Sequence, residues 1–207
     1  MDEQLRQDVE QAVTEGADIR AKIRDAIEAA AERAKATSTR LTDLSAQTID
    51  AAVGAIERSV PDEPESSLHQ VVEGLGQGLE RTAQATKLAL EEAAASGKAY
   101  ATDDLKDVAA DLRSIAGMFV ETIERAVGSA AKHTKSQLGS AKAHAETTIG
   151  SIKPSLESAA LAAAHNPVGL VGESASAATK LAREATGSLF GAVGNLLRNA
   201  GDKIKPS

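Results

Sequence analysis

The chain has 207 residues, of which 42% are apolar but only 1% aromatic (Tyr100, Phe119 and Phe190, with no Trp), a formal net charge of −7 and no cysteine. Disulfides, thiolate chemistry and cysteine-type zinc sites are therefore excluded. A large compact globule is poorly supplied as well, because burying a large aromatic or aliphatic side chain contributes about 1.5–3 kcal/mol and Ala, which makes up much of the apolar content, contributes far less.

What this composition favours is an all-α protein. Long amphipathic helices rich in Ala can pack closely through small residues in an elongated helical bundle or coiled-coil arrangement. No alternating run of β-branched and aromatic residues suggests a strand. The acidic N-terminus, MDEQLRQDVEQ, does not read as a secretory signal. The longest uncharged runs, Ser158–Gly172 and Ala185–Leu197, fall short of the roughly 20 apolar residues that span a bilayer. The expected location is the cytoplasm, either free or peripheral to a granule or membrane.

The first predicted element is a long helix over residues 1–60, which hold no proline and only two glycines, Gly16 and Gly54. Leu5, Val9, Ala12, Gly16, Ile19, Ile23, Ala26 and Ala30 step alternately by four and three, a heptad seam over nearly four repeats. The pattern shifts by an extra four at Ala30 to Ala34, resumes at Thr37, Leu41, Leu44 and Thr48, and shifts again to Ile49, Val53, Ile56 and Val60. A straight helix of this length would run about 85 Å. The sequence Pro61-Asp-Glu-Pro64-Glu-Ser-Ser67 then predicts a proline-rich acidic hinge over 61–67, with Ser67 as an N-cap.

Residues 68–152 read as a helical hairpin or as one long helix with a break near 97–102. Leu68, Val72, Leu75, Leu79, Thr82, Thr86, Ala89 and Ala93 form a second seam. Gly74, Gly76 and Gly78 sit inside it, each costing about 1 kcal/mol against Ala, so the segment is expected to be flexible or closely packed. A phosphate loop is not indicated, since no Lys-Ser/Thr follows and no strand precedes. Gly97 and Thr102 suit a helix stop and an N-cap.

The densest apolar stripe comes next. Leu105, Val108, Leu112, Ile115, Phe119 and Ile123 recur at steps of three and four and share one helix face, widened by Met118 and Val127. Asp103, Asp104 and Asp107 complement the positive end of the helix dipole. With Asp111 they could also be read as a divalent cation site, but a solvated first turn explains them more simply, and no calcium-loop pattern is present. This stripe must be covered, and the sequence leaves open whether the protein's own helices, identical copies or an apolar surface cover it.

Residues 153–207 form an Ala- and Gly-rich C-terminal amphipathic segment. Pro154 suits a first helical position, and Leu156–His165 reads as a short helix ended by Asn166-Pro167. Further on, Leu181, Leu189, Phe190, Val193, Leu196, Leu197 and Ile204 share a face opposite Arg198, Asn199 and Asp202. Such a helix can lie in a lipid–water interface or cover the protein's own core. The charge swings along the chain: net −4 over 1–60, −7 over 61–125 and +4 over 126–207. That asymmetry fits a negatively charged partner for the tail.

No catalytic motif emerges. His69, His133, His144 and His165 are scattered, and His133 and His144 are too far apart to share a metal. No nucleophile elbow, Ser-His-acid pattern or dinucleotide fingerprint is present. A sequence pI of 5.2 with three aromatic residues offers no specific nucleic-acid surface. The expectation is a non-enzyme with no cofactor and no metal.

The stripe Leu105–Val127 and the tail Leu189–Ile204, set among long Ala-rich helices with Gly- and Thr-softened seams, resemble bacterial phasins and, more loosely, apolipoprotein-type helical proteins. In composition the chain is also similar to desiccation-type late-embryogenesis proteins, although those are usually more charged. The phasin resemblance implies a protein that coats an apolar storage granule, with a lipid or polyester surface as partner. It names Leu105, Val108, Leu112, Ile115, Phe119, Ile123, Leu189, Phe190, Val193, Leu196 and Leu197 as the surface- or partner-binding face. The alternative partner is the protein itself, as a self-associating bundle or homo-oligomer without surface binding, an arrangement that suits a stress-protective role.

Overall fold

The computed structural model describes residues 2–34, 40–95 and 102–164. Seven helices occupy them: α1 (Glu3–Glu15), α2 (Ile19–Ala34), α3 (Leu41–Ser59), α4 (Pro64–Ala95), α5 (Thr102–Ser129), α6 (Lys132–Gln137) and α7 (Ala141–Ala164). There is no strand among the described residues.

The single helix expected over 1–60 is instead three. α1 starts at Asp2, whose carboxylate accepts from Leu5 N at 3.0 Å, and it stops at Gly16, where φ is +68° and the N–H donates to the Ala12 carbonyl at 3.2 Å. A left-handed residue at this position closes a helix, and glycine takes it without Cβ strain. Asp18, also left-handed at φ +54°, completes the reversal into α2. Arg33 pairs with Asp2 and Lys22 with Glu15, so α1 and α2 are antiparallel. The heptad seam is real, since Leu5, Val9, Ala12, Ile19, Ile23, Ala26 and Ala30 are all buried, but it folds back on itself at Gly16.

At the end of α3, Val60 takes the left-handed cap (φ +45°) and donates its N–H to Ile56. α4 begins with Pro64, whose missing N–H costs nothing in a first turn. Ser67 is therefore not the N-cap expected of it; it lies one turn inside α4 and its hydroxyl donates to the Glu63 carbonyl. A helix running unbroken from 68 past 150 is also excluded, because α5, α6 and α7 are separate. Pro154 sits within α7 rather than opening a helix. It and Gly150, four residues before it, are on the exposed side, where water can satisfy the carbonyl that a proline leaves without a donor.

The pairings between helices fix their directions. Asp2 and Glu10 of the first helix meet Gln47 and Arg58, so α1 and α3 are parallel. Leu41 meets Asp111, and Glu57 meets Ala131 just beyond α5, so α3 and α5 are parallel. Arg20 and Glu28 meet Glu73 and Arg81, making α2 and α4 parallel. Glu65 and Glu80 meet Ser140 and Ser155, making α4 and α7 parallel. The fold is thus three antiparallel hairpins side by side, α1/α2, α3/α4 and α5/α7. One layer is α1-α3-α5, the other α2-α4-α7, and the core lies between them.

α4, about 48 Å long at 1.5 Å per residue, is the spine of the second layer. Its glycines at spacing two place Gly74 and Gly78 on one face and Gly76 on the opposite one. A Cβ on Gly74 would come within 2.4 Å of the Arg20 carbonyl, and one on Gly78 within 2.8 Å of Ile27 Cβ. One on Gly76 would meet Thr148 Cγ2 at 2.5 Å. Of the two readings left open for this segment, the structure selects close packing: both neighbours, α2 and α7, approach α4 over bare backbone. Buried hydroxyls in the seams are satisfied locally, with Thr48, Thr82 and Thr86 donating to the carbonyl four residues back at 2.8 Å.

Candidate functional site

Five residues of the predicted binding stripe are covered by the protein's own helices. Val108, Leu112, Ile115, Phe119 and Ile123 are at most 5% exposed, on the face that α5 turns to α3 and α7. Met118, expected to widen the stripe, is instead 44% exposed, while Val127 packs against the core. The side chain of Leu105 lies outside the described residues. So do the other five predicted residues, Leu189, Phe190, Val193, Leu196 and Leu197, and with them Gly97 and His165.

The acidic residues have a use that spacing alone did not reveal: they cap helices of other hairpins. Asp111 of α5 accepts from Leu41 N at 2.7 Å and from the Thr42 hydroxyl at 3.0 Å, closing the N-terminus of α3, which has no side-chain cap of its own. Glu57 of α3 accepts from Ala131 N at the start of α6. Glu65 of α4 accepts from Ser140 N at 2.9 Å, at the start of α7. Each carboxylate meets the unpaired N–H groups and the positive end of a helix dipole. Asp111 is thus engaged at the start of α3, the side chains of Asp103 and Asp104 lie outside the described residues, and among the described residues there is no group of three or more His, Asp or Glu that could hold a metal ion.

Among the described residues, two histidines and two carboxylates converge at the α4–α7 seam. The parallel offset of the two helices brings His69 and His144, 75 residues apart in sequence, into a stack with ring centroids 4.1 Å apart and an interplanar angle of 16°. The scattered reading of the histidines holds for His133, exposed on α6, but not for this pair. His69 Nε2 lies 2.8 Å from Ser140 Oγ, whose hydroxyl also contacts the Glu65 carboxylate. His144 Nε2 is buried without a hydrogen-bond partner and stands 3.4 Å from Glu73 Oε1, while the other oxygen of that carboxylate, Oε2, is 3.3 Å from Arg20.

An ionised carboxylate can only accept, so the Ser140 hydroxyl gives its proton to Glu65 and takes the Nε2–H of His69. This is the reverse of the polarity a nucleophilic serine needs, in which the imidazole accepts the hydroxyl proton. Burial, reinforced by the neighbouring His144, pushes the His69 imidazole below its ordinary value, against the pull of Glu65 and Glu73. The Ser140 hydroxyl and backbone N–H hold Glu65 below the usual carboxylate range. Nothing in the spacing of His69 and His144 announces the pair; only the register between α4 and α7 does.

Two shallow cavities adjoin the array. One, of about 200 Å³, lies between α1 and α3 and is lined by Arg6, Glu10, Gln47, Asp50 and Arg58. The other, of about 290 Å³, is lined by Asp18, Arg20, Gln70 and Glu73, beside the histidine pair. Among the described residues, no helix is long and apolar enough to cross a membrane.

Comparison with known proteins returns a match over residues 1–197 to the family of unknown function DUF6781, and the chain belongs to that family. No curated protein and no solved structure matches.

Proposed function

We propose that this member of a family of unknown function is a non-enzymatic helical scaffold that attaches to an apolar or anionic surface through its C-terminal amphipathic segment. The observation that carries the reading is the burial of Val108, Leu112, Ile115, Phe119 and Ile123 against the chain's own helices. The strongest apolar face is used to hold the hairpins together, so attachment falls to the other amphipathic stretch, residues 181–207. Leu189, Phe190, Val193, Leu196 and Leu197 supply its apolar side. Residues 165–207 carry five bases against three acids, while 1–164 carry 18 bases against 27 acids. An acidic body with a basic, greasy tail suits a negatively charged interface that the tail enters and the body stands off. A storage granule with a lipid or polyester surface, as in phasins, or the inner face of a membrane, is the class of partner, and the cytoplasm is the compartment.

Flotation tests this. Full-length protein is expected to rise with anionic vesicles or with polyester particles. A chain lacking 181–207 is expected to stay below while keeping its helical circular dichroism. If both stay in the soluble fraction, surface attachment is wrong. A self-contained or self-associating structural protein then replaces it, and light scattering distinguishes those two.

A further inference from the structure

The α4–α7 seam carries a feature that the surface reading does not use. Two imidazoles are stacked face to face, one of them with a buried nitrogen that has no hydrogen-bond partner. Histidines that only fill space leave a buried ring nitrogen unpaired, so the pair costs the fold something that apolar residues would not. We propose that the His69–His144 stack is an acid-sensitive latch that holds the third hairpin, α5/α7, against the second and releases it when both rings take up protons.

The charged groups around the pair decide how it responds. From α4 come Glu65 and Glu73, on either side of His69 in the sequence. Glu65 is engaged with Ser140, and Glu73 lies between Arg20 of α2 and His144 of α7. Asp18, at the turn before α2, lines the same cavity as Arg20 and Glu73. At this end of the array α5 contributes Glu124, paired with Lys142, and α3 contributes Glu57, bonded to Ala131 N. From α6, Lys135 lies 3.4 Å from the Gly128 carbonyl. Glu65 and Glu73 are thus the anions at the pair, and each already has a partner.

A single positive charge on the stack has a carboxylate beside it, since Glu73 Oε1 lies 3.4 Å from His144 Nε2. A second proton puts two positive rings 4.1 Å apart in a partly buried seam. The direction of the His69 shift agrees. A histidine whose folded value is depressed contributes stability above its ordinary value of about 6.5, and that contribution is lost as pH falls through the folded value. The seam the stack guards is also the one where Gly76 admits Thr148, so separating the helices by an ångström removes contacts along its length. The latch stands independently of surface attachment.

The test uses the full chain. His144→Phe and His69→Phe each keep a stacked ring but can hold only one charge. Between about pH 7.5 and pH 5, where histidine titrates, wild type is expected to lose roughly 2–4 °C more in melting temperature than either variant. The chain has no cysteine, so spin labels at Gln84→Cys and Glu146→Cys report the α4–α7 distance cleanly. It is expected to lengthen at about pH 5 in the wild-type background and to stay fixed with His144→Phe. If one Phe variant fails to fold, the other serves for both readings. Parallel melting curves in wild type and variant, or an unchanged label distance in acid, overturn the latch.

Discussion

Replacing glycine by alanine inside a helix ordinarily stabilises it by about 1 kcal/mol, and α4 is where that rule should fail. In Gly74→Ala the new methyl stands 2.4 Å from the Arg20 carbonyl oxygen and 2.9 Å from Ile23 Cβ. The carbonyl belongs to the backbone of α2 and cannot rotate away, so α2 must retreat by about 1 Å, and a gap of that size forfeits a quarter to a half of each contact along the seam. Overpacking of this severity falls at the upper end of the usual range, about 3 kcal/mol, which outweighs the propensity gain and leaves a net loss of about 2 kcal/mol. Gly78→Ala, facing Ile27 Cβ at 2.8 Å and the Arg24 carbonyl at 3.1 Å, should lose somewhat less. The two are one turn apart and strain the same interface, so the double variant should lose less than the two losses added. Gly117→Ala in α5, where a methyl would meet nothing within 4 Å, should gain about 1 kcal/mol. Urea unfolding followed by circular dichroism reads all four, provided the m-values agree. If Gly74→Ala proves at least as stable as wild type while Gly117→Ala behaves as expected, the close α2–α4 approach is wrong.

Three further outcomes follow from the same packing. Ile115→Glu places a carboxylate at a site 2% exposed in wild type and should cost at least about 3 kcal/mol, seen as a large drop in urea midpoint or loss of the helical spectrum. Asp111→Ala removes the cap on α3 and should cost about 1–2 kcal/mol in the same assay; an unchanged midpoint would mean that the interhelical cap contributes nothing. Glu65 is held below its ordinary carboxylate value, so its contribution is present above about pH 4.5 and is lost as pH falls through the folded value. Glu65→Gln should therefore be less stable than wild type at neutral pH and show a flatter stability profile in acid, and equal slopes would contradict this.

Which residues go inside was legible in the sequence, because burial follows from the 3.6-residue period. Leu5 to Ala30, Leu68 to Ala93 and Val108 to Ile123 are buried almost position for position, with Gly16 the exception. Where the chain turns was less legible. A three-residue reversal at Gly16-Ala17-Asp18 preserves the four-three rhythm, so a seam that continues and a seam that doubles back read alike until φ at Gly16 is known. The same limit hid the contribution of the acids. Asp111 reads as one more charge on a wet face, and only the arrangement of the hairpins sets it on the amides of Leu41 and Thr42.

By itself, then, the sequence determined an all-helical chain without thiol chemistry, the identity of its apolar faces and the charge contrast between body and tail, since each of these follows from local composition and period. Tertiary structure decided which face meets which: that α5 turns its stripe inward, that three glycines let α4 be gripped from both sides, and that His69 finds His144. Those depend on the register between helices far apart in the chain, and register is set by packing over the whole seam, which no local pattern encodes.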